Sequence, residues 1–366
     1  MVEVSPTLSP SPAGGVLRNV QVLRALAAFM VVFVHLEAFG LRLGGGPEVF
    51  VAGNAGVDLF FVISGFIMVF TTLTRPTTPA GFMGQRIQRI VPLYWLITLA
   101  VFAIALAAPS LMQATRADPV ELLKSLTFIP FTKSNGLTQP VAFVGWTLNY
   151  EMAFYALFAL GLLAPRRWMG VAATAAAIVA VVALGAVFKP QGTLGAFYTA
   201  PIMLEFAYGM GLGLLWLKAP LKAPVLGRVA ALAILPLFIL MIAAPQLWPG
   251  LDRAFAFGLP ATGIVFCALA LERAGLSVRS RLALKLGDAS YAVYLTHFFV
   301  TQAAVKASTA LSLTSPAMTV LLIIVTLAAV ALVGVAVHHL VERPIAQLLR
   351  RRTRRPALKA EPCASA

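Results

Sequence analysis

Ten mostly apolar stretches of about membrane-spanning length recur along the chain, near 19–41, 54–73, 87–108, 145–164, 168–188, 197–217, 227–245, 254–271, 289–305 and 317–340. A run of about 20 such residues matches the thickness of a bilayer's hydrocarbon core, and inside lipid a lone segment satisfies its own backbone only as a helix. The fold class that follows is all-α, a polytopic bundle of about ten transmembrane helices, multi-pass in the cell (inner) membrane. Composition agrees: 60% of the residues are hydrophobic and only 11% are charged, too few charges to cover a soluble domain.

The opening stretch "MVEVSPTLSPSPAGG" is rich in Pro and Ser and has no basic cluster ahead of an apolar core. Residues 1–16 read as a disordered tail and not as a cleaved signal. The membrane domain is expected over 17–345 and a basic cytoplasmic tail over 346–366.

Lys and Arg test this topology, because cytoplasmic loops hold the excess of positive charge. With both termini in the cytoplasm, the outer segments carry only Arg42, Arg116, Lys124, Lys133, Lys189, Arg253 and Lys306. Apart from Arg24, the rest of the 28 basic residues fall inside. The net charge of +15 therefore lies where anionic membrane lipids attract it, and no nucleic-acid partner is expected. Cys267 and Cys363 are too far apart in this topology for a disulfide, and neither has metal-ligand neighbours. No metal site is expected. Nothing in the sequence sets an oligomeric state.

Polar side chains within the apolar runs single out the candidate site, since ionisable groups in a membrane are costly and are functional by default. Arg24 and His35 are eleven residues apart, which on one continuous helix returns to within roughly 20° of the same face after a climb of about 16 Å. The Arg24 guanidinium near a helix end can also snorkel to the interface, whereas His35 in the outer half has no water to reach. Asp58 opens the second run and Glu151 lies near the start of the fourth, so His35, Asp58 and Glu151 are expected in one outer layer. A carboxylate favoured by the helix dipole is the structural alternative for Asp58. Glu205 has no local partner. Arg86 and Arg89, three residues apart at the inner end of the third run, either anchor topology or join Arg24 in a phosphate-binding cluster, because guanidinium forks bind phosphates bidentately.

These residues come in a recognisable set. Arg24 and His35, the stretch "GVDLFFVISGF", Arg86 and Arg89 followed by "IVPLYW", then "WTLNYEMAFY", "SYAVYLTH" and the closing "VERP" from Val341 to Pro344 together resemble the acyltransferase-3 family of integral membrane acyltransferases. The branch most similar is that of exopolysaccharide O-acetyltransferases. The resemblance implies acyl-CoA (acetyl-CoA) as cytoplasmic donor and a polysaccharide or lipid-linked sugar hydroxyl as acceptor. It makes His35 the essential histidine, Arg24 its paired arginine, and Arg86 with Arg89 the donor-binding pair. Glu151, with Trp146, Thr147 and Tyr155, falls on a family motif in which Ser is more usual than Thr147. His297 matches a recurring histidine, while His338 and His339 near the inner face are assigned no role. Many relatives carry an added esterase-like domain, so this membrane domain is expected to act alone or with a separate partner.

The expected chemistry follows from the depth of these groups. A donor gripped by its phosphates at the inner face, with its arm rising along the stripe from Arg24 to His35, would bring the acyl carbon deep into the bundle. A neutral imidazole is suited to take the proton of an attacking hydroxyl, with Glu151 or Asp58 orienting it, and an acyl-histidine intermediate is a second route. The alternative is a multi-pass transporter or flippase of a glycan or lipid-linked intermediate, against which stands the lack of a repeat relating the two halves of the chain.

Overall fold

The computed structural model describes residues 17–46, 52–112, 114–218 and 223–353. The expected tail over 1–16, and Cys363 with the end of the basic tail, lie outside the described residues. Apart from one isolated bridge between Thr132 and Thr138, regular structure among the described residues is helical.

Each apolar run contains a helix. The first half of the chain holds α1 (Arg18–Val34), α2 (Glu37–Arg42), α3 (Ala55–Thr74), α4 (Pro79–Ala107), α5 (Pro119–Leu126), α6 (Trp146–Gly161) and α7 (Arg167–Phe188). The second half holds α8 (Thr193–Tyr198), α9 (Leu204–Lys218), α10 (Ala223–Leu247), α11 (Arg253–Ala256), α12 (Gly258–Arg273), α13 (Arg281–Asp288), α14 (Ser290–Ala310), α15 (Pro316–Val337) and α16 (Arg343–Thr353). Three starts share one local device. Thr78, Asp118 and Ser315 each precede a proline and accept a backbone N–H of the first turn, since proline at the first helical position costs no hydrogen bond and its φ suits the helix. The start of α1 is capped from a distance, where the Glu272 carboxylate accepts the backbone N–H groups of Arg18 and Asn19.

Among the described residues, six helical segments are long and apolar enough to cross a membrane by length and composition. They include α3, α4, α7, α10 and α15, with α11 and α12 taken as one stretch. The other four apolar runs form α1, α6, α9 and α14, which are shorter or more polar and carry Arg24, Glu151, Glu205 and His297. Those four bury much of their surface inside the bundle, whereas α7, α10 and α15 bury little. The outward side chains of the peripheral helices are large and apolar, such as Val187, Leu232 and Leu332, an apolar surface that suits lipid and not water. The chain is an integral membrane protein.

Helices α3 and α9 approach until a Cβ on Gly65 would lie 2.1 Å from the Phe206 carbonyl oxygen, and one on Gly209 would lie 2.0 Å from that of Val62. Only glycine permits this contact. In α4, Pro92 interrupts the ladder, and the Tyr291 hydroxyl donates to the nearby Ile90 carbonyl at 2.7 Å.

One element differs from expectation. The first run does not continue as a helix to residue 41: α1 stops at Val34, His35 and Leu36 form a turn, and α2 restarts at Glu37. Leu36 and Phe39 are fully buried, so the apolar pattern persists through a change of direction and conceals the helix end.

Candidate active site

A cavity of about 340 Å³ lies among α1, α3, α4, α6 and α14. At its basic end stand Arg24 of α1, Arg75 after α3, and Arg86 and Arg89 of α4, while Val57, Phe60, Ile63 and Met68 of α3 form an apolar wall. Arg86 lies over the rings of Phe82, at 5.6 Å, and Tyr155, at 5.8 Å. Its buried Nε has no hydrogen-bond partner. An unsatisfied buried donor costs free energy that an acceptor oxygen in the cavity would recover. Arg24 Nη1 donates to Gln21 Oε1 at 3.2 Å, and Gln21 Nε2 donates in turn to Asp288 Oδ1.

On α6, Thr147, Glu151 and Tyr155 follow at intervals of four and therefore share one face, which lines the cavity. Glu151 Oε1 accepts from the Tyr155 hydroxyl and, at 3.2 Å, from Ser64 Oγ of α3. Ser64 and Tyr155 hydroxyls also lie 3.3 Å apart. Tyr155 thus joins Glu151 to Arg86, a carboxylate and a guanidinium linked through one phenol.

At the far end of the cavity the Tyr294 hydroxyl donates to the Val144 carbonyl at 2.8 Å. Its single proton being spent there, it accepts from Thr147 Oγ1, also at 2.8 Å. Beyond Tyr294 lie the histidines. The His297 ring centre is 6.0 Å from that of Tyr294, and His297 stacks on His35 with 4.9 Å between centroids and 5° between planes. Phe143 meets His35 edge-on at 5.3 Å. His297 Nδ1 donates to the Tyr294 carbonyl at 2.7 Å, and its Nε2 is buried without a partner.

Asp58 belongs to a different cluster. Arg253 Nε donates to its Oδ1 at 3.0 Å and Nη2 to its Oδ2 at 2.7 Å, and Nη2 also reaches the Asn54 carbonyl at 2.9 Å. The same guanidinium lies over Trp146 at 6.0 Å and Phe257 at 5.6 Å. Fully buried Glu205 sits nearby, packed against Gly258, with neither carboxyl oxygen hydrogen-bonded.

Residues 17–336 match the acyltransferase domain of the acyltransferase-3 proteins. The chain belongs to this family. It is 38% identical over 313 residues to the exopolysaccharide production protein ExoZ of Rhizobium meliloti strain 1021, covering 84% of this chain and 93% of that one. It is 27% identical to acyltransferase MdmB of Streptomyces mycarofaciens over 68% of each chain. The peptidoglycan O-acetyltransferase OatA of Listeria monocytogenes is 28% identical over 40% of this chain and 24% of that one. No solved structure matches the chain.

In this acyltransferase, the sequence-selected residues divide into three places. Arg24, Arg86, Arg89, Thr147, Glu151 and Tyr155 line one cavity. His35 and His297 meet each other beyond it, so the stripe expected from Arg24 to His35 is interrupted by Tyr294 and Thr147. Asp58 and Trp146 meet at Arg253. The single outer layer expected for His35, Asp58 and Glu151 does not form, because Glu151 is held by Ser64, six residues or about 9 Å along α3 from Asp58. Sequence reasoning missed Ser64, Arg253 and Tyr294. Tyr294 lay within the quoted "SYAVYLTH", and Arg253 was counted only as an outer cation. Among the described residues no group of three or more His, Cys, Asp or Glu is placed to hold a metal ion.

Proposed function

We propose that this protein moves an acyl group, acetyl in the first instance, from cytoplasmic acyl-CoA to a sugar hydroxyl of an exopolysaccharide or another cell-surface glycan, carried on a polymer or a lipid-linked sugar. The observation that carries this reading is one cavity with four arginines at one end and an apolar wall above them. Such a cavity suits the pantetheine arm, with Arg24, Arg86 and Arg89 holding phosphate oxygens at the mouth. Ten spans, both termini in the cytoplasm and an inner-membrane location complete the reading, with the arginine end facing the donor.

In this scheme the His35 imidazole takes the proton of the attacking sugar hydroxyl and returns it to the departing thiolate. The acyl–sulfur bond breaks as the ester bond forms, so no net proton is released. His297, fixed by its bond to the Tyr294 carbonyl, holds the His35 ring by stacking. Glu151 keeps Tyr155 and Arg86 in register for the donor. Asp58 takes a positioning part, anchoring the outer end of α3 and Trp146 through Arg253.

Purified protein in detergent, given radiolabelled acetyl-CoA and de-acetylated exopolysaccharide, is expected to place label on the glycan in an alkali-labile ester. The competing reading is a transporter or flippase of a glycan or lipid-linked intermediate. Movement of a lipid-linked glycan across vesicles with no thioester cleavage would support that reading and overturn the proposed one.

A further inference from the structure

Two hydroxyls, Thr147 on α6 and Tyr294 on α14, close the end of the cavity that points toward the histidines. Both line the cavity, both are buried, and their oxygens are 2.8 Å apart. The Tyr294 ring is braced by Phe60, edge to face with 6.0 Å between centroids, and its hydroxyl is tied to the Val144 carbonyl at 2.8 Å. Its centroid also lies 6.0 Å from that of His297, which stacks on His35. His35 itself does not line the cavity. A donor arm lying in the cavity therefore ends against Tyr294 and not against the base.

Resting on the acyltransfer reading above, we infer that Tyr294 is a positioning residue that holds the thioester away from His35 through its bond with Thr147, and so decides whether sugar or water receives the acyl group. The reacting carbon meets the imidazole only when the two hydroxyls part. Without the latch, the thioester reaches His35 whether or not an acceptor is present. Water then attacks the acyl carbon, the new carbon–oxygen bond forms as the carbon–sulfur bond breaks, and His35 carries the proton from water to the thiolate. The products are free acid and free thiol. The closure is held by ordinary hydrogen bonds, which break readily enough to open in each turnover.

The test is thiol release from acetyl-CoA by purified protein, with and without de-acetylated exopolysaccharide. Tyr294→Phe and Thr147→Val each remove one hydroxyl while keeping the bulk. Each is expected to raise acceptor-independent release on the order of tenfold, the equivalent of one hydrogen bond, and to lower the ratio of ester formed to thiol released. The double variant should leak no more than Tyr294→Phe alone, because Thr147→Val breaks a bond that Tyr294→Phe already removes. Adding His35→Ala to Tyr294→Phe should return release to the rate of buffer.

If wild-type protein acetylates the glycan and neither single variant leaks, the gate assignment is wrong. A leak that survives His35→Ala, or additive leaks in the double variant, would also overturn it. Loss of monodisperse protein in both single variants would show a folding element instead. Wild-type protein that cleaves no thioester under any condition would fail one step earlier, at the acyltransfer reading itself.

Discussion

The imidazoles of His35 and His297 lie face to face, 4.9 Å between centroids and 5° from parallel, although one follows α1 and the other lies in α14. His297 is tied through Nδ1 to the Tyr294 carbonyl, and His35, placed in a turn just after α1, is held between that ring and Phe143. A turn allows a side chain to leave the helix face set by residues before it. His35 is therefore presented beyond the cavity and not along its wall.

The arginine cluster predicts a defect confined to the donor. Arg86→Ala and Arg89→Ala should each raise the acetyl-CoA KM, the loss of a charged hydrogen bond being worth about 1.5–3 kcal/mol, with a smaller change in kcat. Steady-state kinetics at saturating acceptor measures both constants. An unchanged donor KM in both variants would return these residues to topology anchoring.

Asp58 and Arg253 predict a stability effect. The Asp58 carboxylate is fully buried and the Arg253 side chain is 30% exposed, so removing one partner leaves a charge stranded in the bundle at a cost of about 3 kcal/mol. Asp58→Ala should lower the thermal midpoint in detergent without changing the donor KM. Asp58→Ala with Arg253→Ala should be less destabilised than the two single losses combined. Full additivity would mean that the pair contributes nothing.

How much of this was legible in the sequence depends on the range of each interaction. The helices were, because lipid demands about 20 apolar residues and each run supplies them. So were the arginines and the α6 face, because Arg86 and Arg89, or Thr147, Glu151 and Tyr155, are set by spacing within one helix. The Asp58–Arg253 pair joins residues 195 apart and the Ser64–Glu151 bond joins residues 87 apart. Periodicity says nothing about which helices touch. The end of α1 was hidden for a different reason, since Leu36 and Phe39 stay buried on both sides of the turn.

Lys133, in the segment between α5 and α6, predicts a pH dependence of stability. It is only 5% exposed, Nζ donates to Thr115 Oγ1 at 2.9 Å, and burial pushes its ammonium down to about 8. The unfolded chain, with the ordinary value of 10.5, binds more protons between those two values, so this residue's penalty is full below about pH 8 and fades as pH rises toward 10.5. The thermal midpoint of wild type relative to Lys133→Met should therefore rise from pH 7.5 to pH 9.5. An offset equal at both pH values would contradict the burial of a charged amine.

Exposed Ser134 in the same segment predicts the topology. In a Ser134→Cys variant this position should react with a membrane-impermeant thiol reagent in intact spheroplasts, while Cys363 reacts only after the membrane is opened. The reverse order would invert the bundle and turn the arginine end away from the proposed cytoplasmic donor.

Acetyl transfer by His35→Ala tests the central claim most directly. Purified wild type and variant, matched for monodispersity and thermal midpoint, are given radiolabelled acetyl-CoA and de-acetylated exopolysaccharide, and ester on the glycan is counted. Loss of a positioned general base should lower the transfer rate by about 10²–10⁴-fold with donor binding retained. A variant that acetylates the glycan at the wild-type rate would show His35 to be a packing residue, and the chemistry would have to be sought elsewhere in the cavity.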